Sequence, residues 1–94
     1  MSIVEIRDDI DQIDRELVKL LERRMDAVAK VAQYKKETGK PVFDKTRERE
    51  VLAQIASLVS NKAYEATIVA TFCDVLANSR EYQKLQLANS ENQG

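Results

Sequence analysis

The stretch SIVEIRDDIDQIDRELVKLLERRMDAVAKVAQYKKET, residues 2–38, decides the fold. Its apolar side chains fall at Ile3, Ile6, Ile10, Ile13, Leu17, Leu20 and Leu21, then at Val28 and Val31. That is the spacing of one helical face. No glycine or proline interrupts it before Gly39, so residues 2–38 are predicted to form one helix, roughly 55 Å long at 1.5 Å per residue. A compact chain of about 100 residues has a radius of gyration near 13 Å. One end of such a helix finds no cover within its own chain, and a partner subunit is implied.

Working outward, Gly39-Lys-Pro-Val-Phe-Asp44 is the one obvious breaker. Gly39 suits a helix C-cap and Asp44 the next N-cap. A second helix is predicted over about residues 45–59, with Val51, Leu52, Ile55, Leu58 and Val59 on one side, ending near Ser60-Asn61. A third, over about 63–87, carries Ile68, Phe72, Val75 and Leu76. Past Leu87 no apolar period remains, so residues 89–94 read as a frayed polar tail on a single domain, 1–88.

Composition agrees. Of 94 residues, 44% are apolar and 33% charged, with two glycines and one proline, which fits long helices and not a sheet rich in turns. The class is all-α, with one long N-terminal helix and two shorter ones. The net charge of -1 comes from acids and bases mixed along the chain, which leaves no single-sign stripe for a nucleic-acid backbone. No run approaches the roughly 20 apolar residues of a bilayer span, and a cytoplasmic protein is expected. With no histidine and one cysteine, metal clusters, disulfides and imidazole-dependent triads are not expected. The chemistry left uses carboxylates, cations, amides and hydroxyls, or needs no proton transfer.

Several polar residues intrude on apolar stripes. Positions 3, 10, 17, 24 and 31 read Ile, Ile, Leu, Arg, Val, so Arg24 interrupts the seam. A guanidinium there needs a partner, because an unpaired buried charge costs several kcal/mol. It is either an ion-paired residue inside a coiled coil or one that awaits an anionic ligand. Lys35, eleven residues on, returns to within about 20° of the same face, roughly 16 Å away; the pair suits the two ends of a small dianion, while Lys35 alone reads as a solvated lysine near a helix end. Arg7 lies about 25 Å from Arg24 along the axis and about 100° around it. Either it reaches a shared ligand from another subunit, or it is a surface residue paired with Asp11.

In the second helix Glu48 shares a stripe with Leu52, Ile55 and Val59, bordered by Arg47; a Glu48–Arg47 surface pair is the plain alternative. In the third, Phe72 and Leu76 continue into Ser79 and Gln83, a hydroxyl and an amide where packing alone prefers carbon. Cys73 reads as a small buried hydrophobe.

The ordered set formed by Ile-Arg7-Asp-Asp-Ile-Asp-Gln-Ile-Asp14, Leu-Leu-Glu-Arg-Arg24, Tyr-Lys35-Lys, Pro-Val-Phe-Asp44-Lys-Thr-Arg47-Glu48-Arg-Glu and Ser79-Arg-Glu-Tyr-Gln83 resembles the all-helical, type II chorismate mutases over residues 3 to about 86. The resemblance implies an intertwined three-helix homodimer with two equivalent sites. It implies rearrangement of chorismate to prephenate, on the route to phenylalanine and tyrosine, with no cofactor or metal. It implies substrate contacts by Arg7 of the neighbouring subunit and by Arg24, Lys35, Asp44, Arg47, Glu48, Ser79 and Gln83. Among these Arg7 and Arg24 would take the substrate carboxylates, Glu48 the ring hydroxyl, and Lys35 and Gln83 the ether oxygen.

With no added domain in view, a monofunctional enzyme is expected, and activation by a partner enzyme of the aromatic pathway is compatible with that. Two rival readings stand beside it. One is an isochorismate pyruvate lyase, similar in fold and ligand; the other is a non-catalytic helical interaction module.

Overall fold

The computed structural model describes residues 1–93, with side chains through residue 89. Three α-helices run in the order α1 (Ile3–Thr38), α2 (Lys45–Leu58) and α3 (Glu65–Gln93), with a single 3-10 turn, Lys62–Tyr64, leading into α3. No strand occurs among the described residues. The all-α expectation holds.

Each boundary has a local cause. At the start of α1, Ser2 is extended and its hydroxyl accepts from the Glu5 backbone N–H at 3.2 Å, satisfying a donor that the first helical turn leaves without a partner. At its end Gly39 adopts φ 72°, ψ 10°, the left-handed conformation that a side chain disfavours. Asp44 caps α2 through its carboxylate, which accepts from the Arg47 N–H at 3.0 Å. Asn61 caps the 3-10 turn in the same manner, accepting from Ala63 N–H at 3.0 Å.

The third helix runs further than its apolar pattern predicts. It reaches Gln93 because nothing between Glu65 and Gln93 is a glycine or proline, and loss of amphipathicity does not by itself end a helix. The predicted polar tail is therefore helical in its backbone to Gln93; Gly94 and the side chains from residue 90 onward lie outside the described residues.

The core sits where α3 packs against both α1 and α2. It is thin: among the described residues, Val28, Ala32 and Leu76 are the buried apolar ones. The N-terminal half of α1 projects beyond it, giving extents of 57 × 27 × 14 Å and a radius of gyration of 16.7 Å, well above the ~12–13 Å of a compact chain this long. Ile3, Ile6, Ile10, Ile13, Leu17, Leu20 and Leu21 are all exposed in the single chain. Cys73 is exposed as well, which corrects its reading as a buried hydrophobe: position 73 lies outside the α3 stripe of Leu76, Ser79 and Gln83 that faces the core. No described helix is long and apolar enough to cross a membrane.

Candidate active site

Where the C-terminal half of α1, the start of α2 and the middle of α3 converge, they enclose a cavity of about 330 Å³. Seven residues singled out in the sequence line it: Arg24 and Lys35 from α1, Asp44, Arg47 and Glu48 at the start of α2, and Ser79 and Gln83 from α3. Between them the wall is apolar, made of residues such as Val28, Val31, Val51 and Leu76. Charges facing such a wall are screened less than charges in open water, so an anion here feels its cations strongly.

Burial grades these residues. Ser79 and Gln83 are 5% and 6% exposed, which bears out the expectation that they occupy core-facing positions of α3. Arg24, Lys35 and Glu48 are partly buried, while Asp44 and Arg47 are exposed at the rim.

The hydrogen bonds show how the polar groups are held. Arg24 donates to the Ser79 Oγ at 2.7 Å, and that hydroxyl donates in turn to the Val75 carbonyl at 2.9 Å. Ser79 thereby fixes one arm of the guanidinium, and its remaining N–H groups keep their capacity for an anion. Lys35 donates from Nζ to the Val42 carbonyl at 2.6 Å and to the Gln83 Oε1 at 3.0 Å. An ammonium has only donors, so it compels the Gln83 oxygen to face it and leaves the amide N–H₂ as the donor for a ligand. No buried side-chain nitrogen or oxygen among the described residues lacks a partner.

Glu48 pairs with Arg80 of α3, not with Arg47. The surface-pair alternative for Glu48 is thus corrected: α2 packs on α3, which brings Glu48 against a cation distant in sequence, whereas neighbouring residues on a helix point about 100° apart. Arg47 forms no ion pair among the described residues. Arg80 was not singled out in the sequence. Its signal was the spacing Leu76, Arg80, Gln83, four and then three residues on the same face.

Arg7 does not line the cavity. It lies on the exposed N-terminal half of α1, about 25 Å along the axis from Arg24, and makes no ion pair with Asp11 among the described residues. Within one chain, seven of the eight residues singled out line the cavity.

The arrangement lines one apolar cavity with four cations, Arg24, Lys35, Arg47 and Arg80, two carboxylates, Asp44 and Glu48, and the neutral amide of Gln83. It suits a small dianion with a hydroxyl group, held and polarised without proton transfer.

Comparisons with known proteins agree on one family. The family model "Chorismate mutase type II" matches residues 6–84. The chain is 28% identical over 92 residues to the chorismate mutase of Methanocaldococcus jannaschii, covering 97% of this chain and 93% of that protein. It is 39% identical over 57 residues to the bifunctional chorismate mutase/prephenate dehydratase of Buchnera aphidicola, covering 61% of this chain but 15% of that protein. To the T-protein of Haemophilus influenzae it is 34% identical over 62 residues, 66% of this chain and 16% of that protein. No solved structure gives a significant match.

Proposed function

The chain belongs to the type II chorismate mutase family, and we propose that it rearranges chorismate to prephenate in the cavity between α1, α2 and α3. The observation that carries this is the convergence of Arg24, Lys35, Glu48, Ser79 and Gln83 from three helices on one cavity.

The reaction shifts bonds within one molecule, so the protein has to fold the substrate into its reactive conformer and stabilise the electron density that builds on the breaking ether oxygen. Lys35 and Gln83 are already joined by a hydrogen bond. Each retains an N–H, and the two converge on the ether oxygen. Because these donors stay fixed as the bond breaks, they favour the transition state over the ground state. Arg24, steadied by Ser79, takes one carboxylate. Glu48 accepts the ring hydroxyl. Arg47 and the backbone at Asp44 complete the rim.

Two chains form the working unit. The apolar N-terminal half of α1, exposed from Ile3 to Leu21, supports this. A core of Val28, Ala32 and Leu76, at about 1.5–3 kcal/mol for each large side chain, is small against the roughly 1–2 kcal/mol needed to order each backbone residue. A second α1 laid along the first covers both apolar faces. It also carries the partner's Arg7 to the open side of the cavity, where it meets the second carboxylate. The enzyme works in the cytoplasm, within aromatic amino-acid biosynthesis.

The test is loss of chorismate absorbance in purified protein, with acid conversion of the product to phenylpyruvate to identify prephenate. Prephenate formation is expected. Release of pyruvate from isochorismate, with chorismate untouched, would transfer the site to the lyase reading.

A further inference from the structure

The one ion pair inside the cavity, among the described residues, joins Glu48 of α2 to Arg80 of α3. Neither partner is free in solvent: their side chains are 20% and 28% exposed. The Arg80 guanidinium also stacks on Phe43, 5.2 Å from the ring centroid, so it is held from two sides, by the loop that precedes α2 and by α2 itself.

A cavity built for a dianion gains from cations and loses from carboxylates. Its wall carries Arg24, Lys35, Arg47 and Arg80 against Asp44 and Glu48. Four positive charges meet two negative ones, which leaves two, equal and opposite to a dianion. Asp44 faces its own helix N-terminus, where its carboxylate accepts from the Arg47 N–H and the helix dipole offsets its charge. Glu48, in the first turn of α2, gains part of the same dipole relief, but it lines the cavity, where it would repel the ligand it has to hold by a hydroxyl group. Arg80 supplies the direct counter-charge.

We infer that Arg80 is a positioning residue that neutralises Glu48, so that the carboxylate accepts a substrate hydroxyl without repelling the substrate's own carboxylates. The inference rests on the reading of the cavity as a chorismate site. The guanidinium engages Oε1 of Glu48 and leaves Oε2 for the ligand. Its contribution is the same in the ground and transition states, since both carry the same two carboxylates. It therefore sets affinity and leaves turnover alone.

The experiment measures steady-state kinetics with chorismate, and binding of the product prephenate by calorimetry, for the wild type, Arg80→Met, Arg80→Lys and the double variant Arg80→Met/Glu48→Gln. Methionine keeps an unbranched side chain that can still pack near Phe43 but carries no charge. The expected result for Arg80→Met is a KM and a prephenate Kd raised about tenfold with kcat within about twofold. Lysine should retain most of the affinity. The double variant should bind prephenate more tightly than Arg80→Met, because removing the carboxylate restores the charge balance; a purely structural loss would not be recovered by a second substitution. Unchanged affinity in Arg80→Met, equal weakness in Arg80→Lys, or a double variant no better than the single one overturns the inference. Wild-type protein that leaves chorismate unconverted overturns the chorismate reading instead.

Discussion

The ammonium of Lys35 on α1 donates to the amide oxygen of Gln83 on α3 at 3.0 Å, and to the Val42 carbonyl at 2.6 Å. One side chain thus ties together two helices and the loop that leads to the third. It also orients the amide, whose N–H₂ group is left for the cavity, and it keeps one N–H of its own. On the proposed reading, both donors to the breaking bond depend on Lys35.

Replacing Lys35 by alanine removes a charge-assisted donor and releases the Gln83 amide to rotate. The expected loss in kcat is about 10²- to 10³-fold, with circular dichroism unchanged because the helix itself tolerates alanine. Turnover within a few-fold of wild type would remove Lys35 from the ether-oxygen role.

Gln83→Glu exchanges a permanent donor for one that donates only when protonated, and an unperturbed glutamate loses its proton near pH ~4.3. Beside the Lys35 ammonium the carboxylate is favoured further, so the variant should be nearly inactive at neutral pH and gain activity as pH falls towards 5 and below. The wild type, with a neutral amide, should show a flat profile near neutrality. A pH–rate series on both proteins checks this, and equal activity of the variant at pH 7 and pH 5 would contradict it.

Arg7→Ala and Lys35→Ala should each inactivate a homodimer, yet a mixture should recover. In a mixed dimer one site joins an intact Lys35 to the partner's intact Arg7, while the other site lacks both. Random re-association of equal amounts gives half mixed dimers with one good site each, so about one quarter of wild-type activity is expected. No recovery after unfolding and refolding the mixture together would mean that Arg7 does not act across the subunits.

Gly39→Ala tests the backbone. Nothing lies within 4 Å of where its Cβ would sit, but φ is +72°. The cost is conformational and should come to roughly 1 kcal/mol, read as a fall in the thermal midpoint with KM little changed. A stability equal to wild type would show that the α1–α2 loop adopts another turn in solution.

Much of this protein is determined along the chain itself. The 3.6-residue apolar period, with no glycine or proline before Gly39, suffices for α1, and Gly39 and Asp44 mark boundaries because capping is a local affair of a few residues. The length of α1 against the size of a compact chain is what raises the expectation of a second subunit. Ser79 and Gln83 are legible as cavity residues because each puts a polar group where α3 otherwise buries carbon, and Arg24 because it interrupts an apolar seam.

Only the tertiary structure decides which of these groups meet. The Arg24–Ser79 bond joins residues 55 apart and the Lys35–Gln83 bond residues 48 apart, and no periodicity along one helix carries the relative rotation of two. The partner of Glu48 is the clearest case. Along the chain Arg47 is its neighbour, yet adjacent helical residues diverge by about 100°, and the packing of α2 on α3 gives it Arg80, 32 residues away. Pairing across helices is decided by how they cross, which is a property of packed surfaces and not of either segment alone.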